Sequence, residues 1–138
     1  MKHIIVMTAV LLLLLTFPLQ YALEQRNYHH ITQFQNIVYN AKEKARAKGL
    51  FTPELIEEVK QNIIEEFRNV HESEIIIEVT ENIKYRQNEF DERGLIHYKI
   101  GVPIKAVIAA PQFWGIKEED NSYYYIIESF GASEQVMP

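Results

Sequence analysis

Three successive patterns of apolar and polar positions divide the chain. Residues 3–23 are almost entirely apolar and contain no Lys, Arg, Asp or Glu. Residues 24–50 carry apolar side chains at steps of three and four, the spacing of one face of an α-helix. The rest combines a second helical pattern with alternating stretches. The pattern predicts a hydrophobic transmembrane segment (1–23), an extension of the same long helix (24–50) and a small extracytoplasmic α+β head (51–138).

The apolar segment has the length of a membrane span. Twenty-one helical residues cover about 31 Å, and the hydrocarbon core of a bilayer is about 30 Å thick. We therefore expect membrane lipid to be the partner of residues 3–23. The side chains expected on the membrane and assembly surface are Ile4, Ile5, Val6, Val10, Leu11, Leu12, Leu13, Leu14, Leu15, Phe17 and Pro18.

A cleaved signal peptide is the competing interpretation of this segment. Lys2 supplies a basic start, and a short apolar core follows it. The nearest cleavage point follows Ala22, where Gln20 occupies a position that normally holds a small residue. We favour a retained single-pass anchor. Both interpretations place the body of the protein outside the cytoplasm.

Two helices are predicted after the apolar run. The first continues without a break to Gly49, which suits a helix C-cap. Thr52 and Pro53 suit the start of a second helix, which should end within residues 69–72. The predicted apolar stripe of the first helix is Tyr28, Ile31, Phe34, Val38, Ala41 and Ala45. That of the second is Leu55, Val59, Ile63, Phe67 and Val70.

Alternating residues then predict an antiparallel sheet of three or more strands. The first run covers 75–86, the second 96–106 and the third 123–130. Pro103 cannot donate to a strand ladder, so we expect the second strand to lie at an edge or to bulge there. Helices followed by strands indicate an α+β fold with the helices on one face of the sheet.

Charge and composition exclude several classes of function. The 138 residues carry a net charge of −5, divided unevenly: residues 24–50 hold five basic and two acidic side chains, and the remainder to the C-terminus is acidic. This balance disfavours a nucleic-acid partner. Without cysteine the chain has no thiolate site. His71, Glu72 and Glu74 suit a polar link better than a metal site, so we predict no catalytic residue, metal, cofactor or small-molecule substrate, and no enzyme.

Aromatic residues near the C-terminus form the candidate partner surface. Trp114, Tyr123, Tyr124 and Tyr125 belong to residue types that are enriched in binding interfaces and are also common in strands. Partner contact and ordinary packing both fit this pattern.

The layout resembles the TadE-like minor pilins (pseudopilins) of Tad-type pili. The resemblance runs through HIIVMTAVLLLLLTFPLQYALEQ, KARAKGLFTPELIEEVKQNI and KIGVPIKAVIAAPQFWG. It implies an exported structural subunit, held in the membrane by its first helix, that associates with itself or with other pilin-like subunits in an extracellular filament. Glu24 follows the apolar run, so the role of the glutamate near the start of pilin helices is not transferred to it.

Two functions follow as hypotheses. The first is a membrane-anchored, pilin-like subunit or accessory (minor pilin) of a type IV or Tad-type pilus or a related assembly system. The alternative is a secreted or anchored extracytoplasmic binding module whose signal peptide is cleaved.

Overall fold

The computed structural model describes residues 1–88 and 91–137. It has the predicted α+β order of a long helix, a shorter helix and a three-stranded sheet. Short 3₁₀ turns lie between the later elements. The helices are α1 (Lys2–Lys48) and α2 (Pro53–Glu66), and the strands are β1 (Ile76–Val79), β2 (Leu95–Lys105) and β3 (Ser122–Ala132).

The chain divides into two compact units. The N-terminal unit comprises Met1–His29 and Ile104–Tyr123, and the head unit comprises His30–Pro103 and Tyr124–Pro138. The single helix α1 supplies residues to both units, which confirms that the apolar run and its extension form one helix.

Gly49 ends α1 as predicted. Its backbone has φ +85°, a left-handed conformation that glycine adopts without steric cost. The Gly49 N–H donates to the Ala45 carbonyl at 2.7 Å, and the Gly49 carbonyl accepts from the Lys84 N–H at 2.7 Å. The C-cap therefore closes the helix and also binds the chain that follows β1.

The core of the head unit is built on one stripe of α1. Phe34, Val38, Ala41 and Ala45 are buried, which confirms that part of the predicted stripe. Ile31 is only half-buried, and Tyr28, which belongs to the N-terminal unit, is 68% exposed. The buried stripe of α1 therefore begins at Phe34.

Helix α2 starts as predicted and ends early. The Thr52 hydroxyl accepts a hydrogen bond from the Leu55 N–H at 3.1 Å, and Pro53 occupies the first turn. The helix ends at Glu66, before the predicted end within residues 69–72. The backbone of Phe67 is no longer helical, but its N–H still donates to the Ile63 carbonyl at 2.7 Å. All five stripe residues are nevertheless buried: Leu55, Val59, Ile63, Phe67 and Val70.

Strand β1 runs antiparallel to β2, from Ile76 opposite Gly101 to Val79 opposite Tyr98. It is much shorter than the predicted 75–86 strand. Beyond Thr80 the backbone finds other partners: the Lys84 N–H donates to the Gly49 carbonyl and the Arg86 N–H donates to the Gln135 carbonyl. The alternating pattern in this stretch therefore reflects contacts with a helix end and the C-terminal tail.

Strand β2 is the middle strand of the sheet, in the order β1-β2-β3. The prediction that Pro103 places it at an edge is wrong for the strand as a whole. Pairing with β1 ends at Gly101, so Pro103 lies beyond the part of β2 that β1 covers. The predicted apolar face is confirmed, since Ile96, Tyr98, Ile100, Val102 and Ile104 are all buried. On the opposite face His97 is exposed and Lys99 half-buried, but Gly101 and Pro103 are buried, so the alternation holds only in the first half of β2.

Candidate membrane-contacting surface

The apolar residues of the N-terminal segment are exposed along its length. Among the large apolar side chains of the named membrane and assembly residues, exposure ranges from 46% at Leu12 to 74% at Phe17. Pro18 is exposed as well. An 18-residue window of α1 has a mean hydropathy of 2.2, and none of it is buried. Within residues 1–88 and 91–137, α1 is the one helix long and apolar enough to cross a membrane. This surface is compatible with single-pass anchoring.

The two threonine hydroxyls inside this segment are satisfied by the helix itself. Thr8 donates to the Ile4 carbonyl and Thr16 donates to the Leu12 carbonyl, each at 2.8 Å. Lipid offers no partner to a polar group, so internal pairing is what a membrane requires. Pro18 lies inside the helix without ending it. The segment therefore presents an apolar surface with its threonine hydroxyls paired.

Gln20 binds a distant loop at the end of the apolar run. Its side-chain Nε2 donates to the Val107 carbonyl at 2.9 Å, and its Oε1 accepts from the Ala109 N–H at 2.8 Å. Two turns further along α1, the Asn27 amide donates to the Ala106 carbonyl at 3.3 Å. These bonds hold the apolar loop, defined as residues 106–116, against α1 within the N-terminal unit.

Asn121 also binds this loop, through Ile108. It is 5% exposed, and its side-chain amide accepts from the Ile108 N–H at 2.8 Å and donates to the Ile108 carbonyl at 2.9 Å. Ala106 and Ala110 have φ values of +56° and +49°, which cost a non-glycine residue about 1–2 kcal/mol each. The amide bonds stabilise this strained loop conformation.

Trp114 lies at the exposed end of the apolar loop. The Trp114 side chain is 52% exposed and that of Phe113 63%. Their rings meet edge-to-face with centroids 5.5 Å apart. Tyr123, in the same unit, is 45% exposed. The N-terminal unit thus displays two of the four aromatic residues proposed from the sequence as partner contacts.

The other two candidates, Tyr124 and Tyr125, belong to the head unit and have different surroundings. Tyr125 is half-buried; its ring lies 6.0 Å from that of Phe34, and its hydroxyl accepts from the Gln35 amide at 2.8 Å. Tyr124 is 48% exposed, since neighbouring strand residues point to opposite faces. Packing therefore accounts for Tyr125, while Tyr124 stays available for contact.

The described residues contain no group of three or more His, Asp or Glu side chains that could hold a metal ion. The three polar residues after α2 have structural roles. Glu74 accepts a hydrogen bond from the His71 N–H at 3.1 Å, and Glu72 pairs with Lys60 at 3.4 Å. These contacts favour the polar-link interpretation of the segment.

Asp91 has the clearest perturbation of acidity. The Arg93 side chain and backbone N–H both donate to its carboxylate, and these bonds lower the pKa of Asp91 to about 2. Asp91 is the N-cap of a 3₁₀ turn, so the ionised carboxylate stabilises a local turn.

The amide clamp formed by Gln20 and Asn121 was not predicted from the sequence. In the sequence, Gln20 is a single amide near the end of an uncharged run, and nothing in its local spacing indicates a distant partner.

No protein-family model, curated protein or solved structure matches the chain significantly.

Proposed function

We propose that this protein is a membrane-anchored, pilin-like structural subunit or accessory (minor pilin) of a type IV or Tad-type pilus or a related assembly system. The observation that carries the proposal is the exposed, uncharged segment 3–23, which continues as one helix into the core of the head unit. A helix that is apolar on all sides needs lipid or other apolar helices around it.

Assembly would use the same surface as anchoring. An apolar helix can be held in lipid and then packed against like helices, because both environments cover the same side chains. The head would lie outside the cytoplasm, and the partners would be copies of this chain or other pilin-like subunits. The protein would then act through its position and contacts, without a cofactor or a small-molecule substrate.

A secreted or anchored binding module with a cleaved signal peptide is the second candidate. The exposed side chains of Tyr124, Ile126 and Phe130 on β3 favour a binding surface. Cleavage after Ala22 would, however, remove Gln20 and both of its hydrogen bonds to the apolar loop. The N-terminal mass of the native protein distinguishes the two: a start at or near Met1 supports the anchor, and a start at Leu23 supports the module.

The direct test places a charge in the middle of the apolar segment. Arginine at a helix centre costs about 2.5–3.5 kcal/mol on insertion scales, which is about a 100-fold shift in membrane partition. We expect Leu13→Arg to be lost from the carbonate-washed membrane fraction and from cross-linked assemblies of the full chain. Asn36→Arg, at an exposed position of the same helix in the head unit, is the matched control and should leave both readouts unchanged.

Normal membrane retention and normal cross-linking of Leu13→Arg would contradict the proposal. Retention lost with cross-linking kept would also contradict it, because assembly would then be independent of the apolar helix.

A further inference from the structure

We propose that the apolar loop 106–116 is a second membrane contact, which places Phe113 and Trp114 at the bilayer surface beside the helix. This inference rests on the proposed function, because it requires α1 to be in the membrane. The occupant of the loop surface is the lipid interface. The loop would add an interfacial contact to the spanning one and fix the rotation of α1 about its own axis.

The hydrogen bonds to α1 define the position of the loop along the helix axis. Asn27, beyond the apolar run, binds Ala106, and Gln20, within the run, binds Val107 and Ala109. Seven helical residues correspond to about 10 Å of rise. As the chain runs from Ala106 to Ala109, it therefore moves along α1 and reaches the end of the apolar segment, where a hydrocarbon core of about 30 Å would also end.

The backbone of the loop is suited to a site with little water. Val107 and Ile108 each have both their N–H and their carbonyl hydrogen-bonded, through Gln20 and Asn121, and the Ala109 N–H is bonded as well. Non-helical backbone near membrane depth requires such internal partners. The Gln20 amide gains in return, since its acceptor and a donor would otherwise stand unpaired at the end of an apolar helix.

The side chains of the loop match the chemistry of a lipid interface. Residues 106–116 contain no charge, and Lys105 and Lys117 flank them. Trp and Tyr concentrate at the level of the headgroups, where an apolar ring meets water. Tyr21, next to Gln20 and in the same unit as Phe113 and Trp114, is 65% exposed and adds a further aromatic ring near the end of the apolar segment.

The acidic turn that follows the loop determines the type of lipid. Glu118, Glu119 and Asp120 come directly after Lys117, so the loop has no net attraction to an anionic surface. Contact should therefore depend on the apolar and aromatic side chains and should form on zwitterionic bilayers.

Trp114 is the only tryptophan of the chain and reports on the loop without labelling. The full-length protein is reconstituted into phosphatidylcholine vesicles, with brominated lipids that carry bromine at a shallow or a deep position of the acyl chain. We expect Trp114 emission to lie to the blue of that of a water-exposed tryptophan. We also expect the shallow bromine label to quench it more strongly than the deep one. Added salt should leave the quenching unchanged.

Two variants connect this signal to the clamp. Gln20→Ala removes the side chain that makes two hydrogen bonds to the loop, and we expect the docking equilibrium to shift by about tenfold, with a matching loss of quenching. Gln25→Ala, at an exposed position five residues further along α1, is the matched control and should keep the parent signal.

Flotation of the vesicles separates the two proposals. Protein that floats, with Trp114 indifferent to both brominated lipids, would overturn the loop contact and leave the anchor intact. If Trp114 emission instead changes with the protein-to-lipid ratio, the loop contacts a second copy and the lipid assignment is wrong. Protein that does not float with the vesicles would overturn the anchor and, with it, the loop contact.

Discussion

The two units contain the same kinds of apolar side chain and treat them in opposite ways. In the head unit, Phe34 and Ile63 are completely buried. In the N-terminal unit, Leu12 is 46% exposed and Phe17 74% exposed. The difference lies in spacing, because the head unit alternates apolar and polar positions at helical intervals, whereas residues 3–23 are apolar all round. A stripe can be covered by the chain itself, but a fully apolar helix needs an external partner.

The two units also differ in how their backbone polar groups are hydrogen-bonded. In the head unit, ordinary caps satisfy the helix ends: Thr52 caps the start of α2 and Gly49 the end of α1. In the N-terminal unit, side-chain amides of Gln20 and Asn121 satisfy the backbone of an apolar loop. The first arrangement is typical of a water-soluble fold, and the second suits a place where water is scarce.

The largest expected effect comes from truncating matched apolar residues in the two units. Phe34→Ala removes a buried ring that contacts Phe67 and Tyr125, and it should lower the free energy of unfolding by about 3–5 kcal/mol. Leu13→Ala should change that free energy by less than about 0.5 kcal/mol, because Leu13 is exposed. Denaturant unfolding of the full chain in detergent micelles measures both, and equal losses would abolish the distinction between the units.

A smaller effect is expected from replacing Gly49, which follows the end of α1, and none from replacing Pro18, which lies inside the helix. Gly49→Ala puts a side chain on a left-handed backbone and against the Lys84 carbonyl, so unfolding should become easier by at least about 1–2 kcal/mol. Pro18→Ala, in the N-terminal unit, should leave the unfolding of the head unchanged. Denaturant unfolding in micelles checks both variants. If only Pro18→Ala lowered the free energy of unfolding, Gly49 would not be the residue that stabilises the head.

The smallest effect concerns pH and again belongs to the head unit, since residues 3–23 hold no carboxylate. The pKa of Asp91 is lowered to about 2 by its bonds from Arg93. The ionised carboxylate therefore favours the fold above the ordinary pKa of 3.8, and this contribution is lost as pH falls towards 2. Carboxyl NMR should give an Asp91 midpoint near 2, and Arg93→Gln should raise it. An unchanged midpoint in that variant would exclude Arg93 as the cause.

Local signals in the sequence predicted most of the fold. Gly49, Thr52, the α2 stripe and the α1 stripe from Phe34 onwards act within one or two turns of helix, and their predictions are confirmed. The errors arose where distant chain replaced a local partner. The backbone after β1 pairs with Gly49 and Gln135 and so leaves the sheet, and the incomplete cover by β1 tolerates Pro103 inside the middle strand.

The candidate surface was only partly predictable for the same reason. The apolar residues 3–23 follow from composition alone. The clamp joins Gln20 to Val107, 87 positions away, and no local spacing encodes such a contact. Tyr124 and Tyr125 looked equivalent in the sequence, but one is exposed and the other packs against Phe34, because strand alternation separates them.

The contacts that follow β3 set an order of events during biosynthesis. The Arg46 side chain donates to the Ala132 carbonyl and its backbone carbonyl accepts from the Glu134 N–H, while Ser133 binds Gly94. These partners are synthesised long before residues 132–134, so these contacts of the head unit cannot form until the end of β3 and the chain beyond it have emerged. Segment 3–23 needs no such wait, because a helix forms from its own residues. Under the proposed function, membrane insertion would therefore precede folding of the head, and the unfinished head would be tethered to the bilayer during that interval.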